Sequence, residues 1–128
     1  MKYLLDTHAL LWAALEPRRL SSQALGAIEQ PEAELLLSAA SLWEIGILKS
    51  LGRISLKVSM RALVDLSVSE LGLELVRIEP DHIDRFCTLP FHHRDPFDRL
   101  LIAQGLSLQA AVIGKDREFD AYGIKRIW

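Results

Sequence analysis

Apolar residues follow two rhythms along this chain. Short unbroken runs, Tyr3-Leu4-Leu5, Leu35-Leu36-Leu37 and Ala110-Ala111-Val112-Ile113, read as buried strands. Leu73–Ile78 alternates and reads as a further strand, with a short last one at Lys125–Ile127. Between the runs, the pattern and its punctuation predict helices. One spans Thr7–Leu15 and stops at Glu16-Pro17; another runs from about Ser21 to Gln30, capped by Ser21 or Ser22, with Pro31 beyond its end. Ala39–Leu51 is apolar nearly all round and closes at Gly52, and Ser59–Leu71 closes at Gly72. Pro80–Thr88 and a segment from Pro96 to about Leu108 complete the set. Continuously apolar strands alternating with helices predict an α/β fold, a three-layer α/β/α sandwich with a mainly parallel central sheet. No repeat, low-complexity segment or linker interrupts it, so residues 1–128 are expected to form one domain.

Composition narrows the setting. Half of the 128 residues are hydrophobic and a quarter are charged, which suits a globular protein with a sizeable core. The apolar stretches are far too short to span a membrane, and the opening Met1–Asp6 is too brief for a signal peptide. A lone cysteine, Cys87, has no internal disulfide partner and is expected as a small buried hydrophobe in a reducing cytoplasm. The net charge of −2 is not that of a protein that binds nucleic acid by overall basicity. A polyanionic substrate would need local basic residues or a bound cation.

The acidic residues supply the chemistry. In a parallel α/β sheet, ligands gather at the carboxyl ends of the strands. Asp6 ends the first strand and Asp116 follows the fourth, so both fall on that edge. The helix from Ala39 leaves the same edge and carries Glu44 one to two turns in. The helix from Pro96 starts there and carries Asp95 and Asp98 in its first turn. Singly, each has an ordinary use: Asp6 and Asp95 as helix caps, Asp116 as a loop charge, Glu44 as an exposed helix residue. Together, carboxylates crowded on one rim repel unless cations intervene. An oxygen-only donor set suits Mg²⁺ or Mn²⁺, whereas no Cys/His spacing suggests zinc.

The motifs "LLDTH", "SLWEI", "HHRDPFDRLLIAQ" and "AAVIGKDREFDAYG", in that order and over essentially the whole chain, resemble those of PIN-domain ribonucleases. The similarity points in particular to the VapC-type toxins of bacterial toxin–antitoxin pairs. It implies a Mg²⁺- or Mn²⁺-dependent endoribonuclease whose catalytic, metal-holding acids are Asp6, Glu44, Asp98 and Asp116. Asp95 would support them within the aspartate–proline–aspartate motif, and Thr7 through its hydroxyl. The resemblance also implies RNA as substrate, a cognate antitoxin and homodimerisation. The flanking Arg94, Arg99, Lys115 and Arg117 are candidate contacts to RNA phosphates. One departure stands out: relatives often carry Ser or Thr two residues before the last acid, and here that residue is Gly114.

Other functions fit less well. A phospho-signalling receiver needs an accepting aspartate at a central strand end, and Ile78-Glu79-Pro80-Asp81 is a poor one. An inactive relative that only binds RNA or a partner would not need the full acidic set, although Gly114 leaves that alternative open. Trp12, Trp43 and the Ser59–Leu71 helix are expected to serve the core before any interface.

Overall fold

The computed structural model describes Met1–Trp128 and contains five strands and six α-helices. The strands are β1 (Lys2–Leu5), β2 (Glu34–Ser38), β3 (Glu74–Val76), β4 (Ala111–Ile113) and β5 (Arg126–Ile127). The helices are α1 (Thr7–Leu15), α2 (Ser22–Glu29), α3 (Ala39–Ser50), α4 (Met60–Ser69), α5 (Pro80–Thr88) and α6 (Pro96–Leu108). All four strand pairings are parallel, in the order β3-β2-β1-β4-β5. The expected mainly parallel sheet is thus wholly parallel.

Side chains along a strand alternate between faces, and here both faces are covered. Tyr3, Leu5, Leu35, Leu37, Ala111 and Ile113 join one cluster with Ala9, Leu10, Ala24, Ile45 and Leu63 from α1 to α4. Leu4 and Leu36 meet Leu101 of α6 on the opposite face, while Val112 meets Ile102, Ala103 and Leu89. β1 lies at the centre, with Leu4 opposite Leu36 on one side and Val112 on the other.

The chain winds outward in one direction through β2 and β3, then returns to the other side of β1 for β4 and β5. The order therefore reverses between β1 and β4, and the connections leaving their carboxyl ends part to opposite faces of the sheet, opening a crevice there. Asp6 leaves β1 at that crevice, its N–H donating to the Ile113 carbonyl at 3.0 Å.

Several local expectations are corrected. The third strand is only Glu74–Val76, and Leu75 is exposed, because β3 is a sheet edge. Two short 3₁₀ segments, Pro17–Arg19 and Arg117–Tyr122, lie where the pattern indicated no element. Cys87 is exposed rather than buried. Trp43 stands 66% exposed on the surface of α3, so it does not serve the core, whereas Trp12 packs against the core and against Trp128.

Candidate active site

Three of the rim acids are helix caps. Asp6 is extended at the N-cap of α1, and its Oδ1 accepts the Ala9 N–H at 2.8 Å. Asp95 caps α6, with Oδ1 accepting from Phe97 N–H at 2.8 Å and Asp98 N–H at 3.4 Å. Pro96 follows at the first helical position, where its fixed φ and missing N–H cost nothing. Asp116 caps the Arg117–Tyr122 segment through the Glu118 N–H at 2.9 Å. A carboxylate at each of these positions also meets the partial positive charge of a helix start.

Capping uses one oxygen of Asp6 and of Asp116 and leaves the other for the crevice. Gly114 bears directly on this. A Cβ built there would overlap Asp6 Oδ2 and stand 2.8 Å from Asp6 Cγ. The absent side chain is thus the space that the Asp6 carboxylate fills. What reads in the sequence as a missing hydroxyl is an accommodation of the first acid.

Glu44 is half-buried on α3 and accepts the Thr7 hydroxyl at 2.5 Å. Thr7 itself is buried, so its hydroxyl orients Glu44. Asp98 lies one turn into α6, its side chain 20% exposed, with Oδ2 at 3.0 Å from His93 Nε2. His93 Nε2 also lies 3.6 Å from Asp116 Oδ2 and 2.8 Å from Glu118 Oε2. Neither His93 nor Glu118 carried a role in the sequence reading. His93 sits inside the "HHRDPFDR" motif, and the motif's regularity was the available signal.

The electrostatics mark the crowding. Burial pushes the Asp6 carboxyl up to about 6, against the Ala9 N–H and His8, with the charges of Asp116 and Glu44 adding to the rise. Burial also pushes Asp98 up to about 7; Asp95, Glu44 and Asp6 add to it, and His93 opposes it. Glu44 and Asp116 act on Asp6, Glu44 and Asp6 act on Asp98, and Asp98 and Asp116 share the His93 cluster, so the structure brings Asp6, Glu44, Asp98 and Asp116 to one place. The donors are carboxylate oxygens apart from His93, and His93, Asp98 and Asp116 offer ligand atoms within 4.8 Å of one another. Such a set fits a hard divalent cation, whose charge would offset the burial and the mutual repulsion that raise these two carboxyls.

The basic candidates divide. Arg94, Lys115 and Arg117 are exposed. Lys115 lines an open cleft of about 380 Å³ together with Asp6, Asp116, His8, Trp12 and Arg19. Arg19, whose guanidinium carbon sits 4.9 Å above the Trp12 ring, is a basic neighbour of the acids that sequence spacing gave no reason to select.

Arg99 is the correction. It is 3% exposed and cannot meet a phosphate at the surface. Its Nη1 donates to Pro90 O at 2.8 Å, and its Nη2 to Phe86 O at 3.2 Å and Leu89 O at 3.4 Å. The guanidinium also lies 4.1 Å from the Phe91 ring centroid and 4.9 Å from that of Phe86. One turn past the N-cap, its side chain reaches back under the loop between α5 and α6 and ties that loop down.

A PIN domain family model matches residues 3–125. Ribonuclease VapC22 of Mycobacterium tuberculosis is 31% identical over 120 residues, spanning 93% of this chain and 90% of that protein. Among solved structures, VapBC2 from Rickettsia felis, bound to a DNA fragment from their promoter, superposes with a TM-score of 0.74. It shares 14% identity over 98% of this chain and 97% of that one. VapC20 of Mycobacterium tuberculosis, described as a sarcin-ricin loop cleaving toxin, superposes with a TM-score of 0.59 at 18% identity, covering 95% of each chain. At these identities the structural likenesses speak for the fold.

Proposed function

Because this chain belongs to the PIN domain family, we propose that it is a divalent-metal-dependent endoribonuclease acting as the toxin of a bacterial toxin–antitoxin pair. Residues 1–128 form the one nuclease domain in this reading. The observation that carries it is the convergence of four carboxylates at the β1/β4 crevice, with Asp6 and Asp98 raised to about 6 and about 7. A cluster held in that state is suited to a cation and poorly suited to a purely structural rim.

Asp6, Glu44, Asp98 and Asp116 are the residues that would hold the ion, Mg²⁺ by availability or Mn²⁺. When bound, such an ion supplies an activated water and charge stabilisation for phosphodiester hydrolysis. The chain's own contributions are positional. The caps at Asp6 and Asp116 aim one oxygen of each inward, Thr7 fixes Glu44, and Asp95 sets the direction of α6 so that Asp98 faces the rim. Arg94, Lys115 and Arg117 would meet backbone phosphates around the cleft, which answers the objection from overall acidity. A cognate antitoxin and a second copy of the chain are the partners that family membership supports. No helix is long and apolar enough to cross a membrane, and the cytoplasm is the proposed setting.

The test is incubation of purified protein with end-labelled RNA in Mg²⁺, in Mn²⁺ and in EDTA. Internal cuts are expected with either ion and not in EDTA. Asp6→Asn and Glu44→Gln should each lose at least about 100-fold in rate, since metal charge stabilisation is a matter of several kcal/mol. Metal-independent cutting, or full activity in both variants, would overturn the reading.

A further inference from the structure

His93 sits at the centre of the rim with an unusual set of neighbours. Three carboxylate oxygens, from Asp98, Asp116 and Glu118, lie 2.8 to 3.6 Å from its Nε2. The atom is buried, yet none of the three is aligned to make a hydrogen bond with it. On the other side of the ring, Nδ1 accepts the Asp95 backbone N–H at 3.2 Å. That bond decides the tautomer. An Nδ1–H would face the Asp95 N–H donor to donor, so the proton of the neutral ring belongs on Nε2. The same conflict opposes direct ligation of a metal through Nε2, which would need the proton moved to Nδ1.

Both the ring and the loop that carries it are anchored. The His93 N–H donates to the Tyr122 hydroxyl at 2.7 Å, and that hydroxyl also receives Arg99 Nη1 at 3.4 Å. Arg99 in turn holds the carbonyls of Leu89 and Pro90 at the start of the same loop. The N-cap backbone of α6 fixes Nδ1. Anchors from α6 and from the Arg117–Tyr122 segment thus deliver one N–H donor into a group of acids.

We propose that His93 is a positioning residue of the ion site: a small turn of the Asp98 carboxyl on ion binding brings its Oδ2, 3.0 Å from Nε2, into line with the Nε2–H, which then fixes this acid for cation binding. Ligating carboxylates are commonly held by such outer hydrogen bonds, and losing one typically costs 10- to 100-fold in metal affinity. Arg99 and Tyr122 act one step further out, by fixing the loop that carries the imidazole. The proposal rests on the reading of the rim as a divalent-ion site.

The test is Mn²⁺ binding followed by electron paramagnetic resonance on wild type, His93→Ala and His93→Gln, each checked for fold by circular dichroism. A glutamine amide retains a donor near the Nε2 position. His93→Ala is expected to bind Mn²⁺ at least about tenfold more weakly, and His93→Gln to recover most of the loss. Electron spin echo modulation of the bound Mn²⁺ should show no directly coordinated nitrogen. Unchanged affinity in a folded His93→Ala would overturn the proposal, as would loss in both variants alike, or a coordinated ¹⁴N signal abolished by His93→Ala. Wild type that binds no Mn²⁺ would instead overturn the ion-site reading itself.

Discussion

Asp98→Asn is expected to abolish RNA cleavage and, in metal-free protein at pH 8, to raise the melting temperature. The two effects share a cause. The folded-state Asp98 carboxyl stands at about 7 against an ordinary value near 3.8, first through burial and then through the charge of Asp95. An acid raised in this way leaves stability fully present below about pH 4, where it is protonated in both states, and that stability is lost as pH rises through about 7. At pH 8 the ionised Asp98 opposes folding by an amount on the order of 2–4 kcal/mol, which a neutral amide removes. For a chain of this size that corresponds to roughly 5–10 °C. Without its fourth carboxylate the rim holds an ion poorly, and the rate should fall at least about 100-fold. Asp95→Asn makes the necessary contrast. Asparagine caps a helix about as well as aspartate, so activity should change by less than about threefold, and stability at pH 8 should rise slightly as the charge that adds to the Asp98 rise is removed. Equal loss of activity in the two variants would mean that Asp95 is a ligand as well as a cap.

The second large effect belongs to Arg99. Arg99→Met should destabilise the protein by about 3 kcal/mol, on the order of 10 °C in melting temperature. Three backbone carbonyls, at Phe86, Leu89 and Pro90, lose a charged donor, and each such bond contributes about 1.5–3 kcal/mol before the relief of guanidinium desolvation is subtracted. Arg99→Lys should recover only part of the loss, because an ammonium cannot fork between carbonyls as a guanidinium does. The salt dependence of RNA binding by the folded variant should match that of wild type. A phosphate contact would do the reverse: stability nearly unchanged and the salt slope reduced by about one.

Arg99 also shows where the sequence stops being legible. Asp98 precedes it in the chain, and that adjacency alone makes it look like another basic residue beside the acids. Only the tertiary path of the loop from Leu89 to Arg94, folded back over α6, turns it into a buried clamp. Trp43 and Cys87 went astray for the same reason in the opposite direction. The usual fate of a tryptophan or a cysteine is burial, but the exposed sides of α3 and α5 leave these two uncovered.

The elements themselves were readable because propensity, pattern and punctuation agreed. Gly52 and Gly72 both take the left-handed backbone that ends a helix, and Asp95-Pro96 starts α6 where cap chemistry requires. The convergence of acids followed from topology alone, since each lies at a strand end or a helix start on the same edge. His93 and Gly114 were not legible in that way. The role of one depends on a ring tautomer set by the Asp95 N–H, and that of the other on a close approach between chain segments 108 residues apart in number, from Asp6 to Gly114.

The central claim is that the crowded carboxylates are a cation site, and proton release on metal binding tests it most directly. Titration calorimetry with Mn²⁺, in buffers of different ionisation enthalpy, measures how many protons leave as the ion binds. With Asp6 at about 6 and Asp98 at about 7, about one proton per ion should be released at pH 6.5, falling toward zero by pH 8.5. Binding with no proton release at pH 6.5, or no binding at all, would contradict the account.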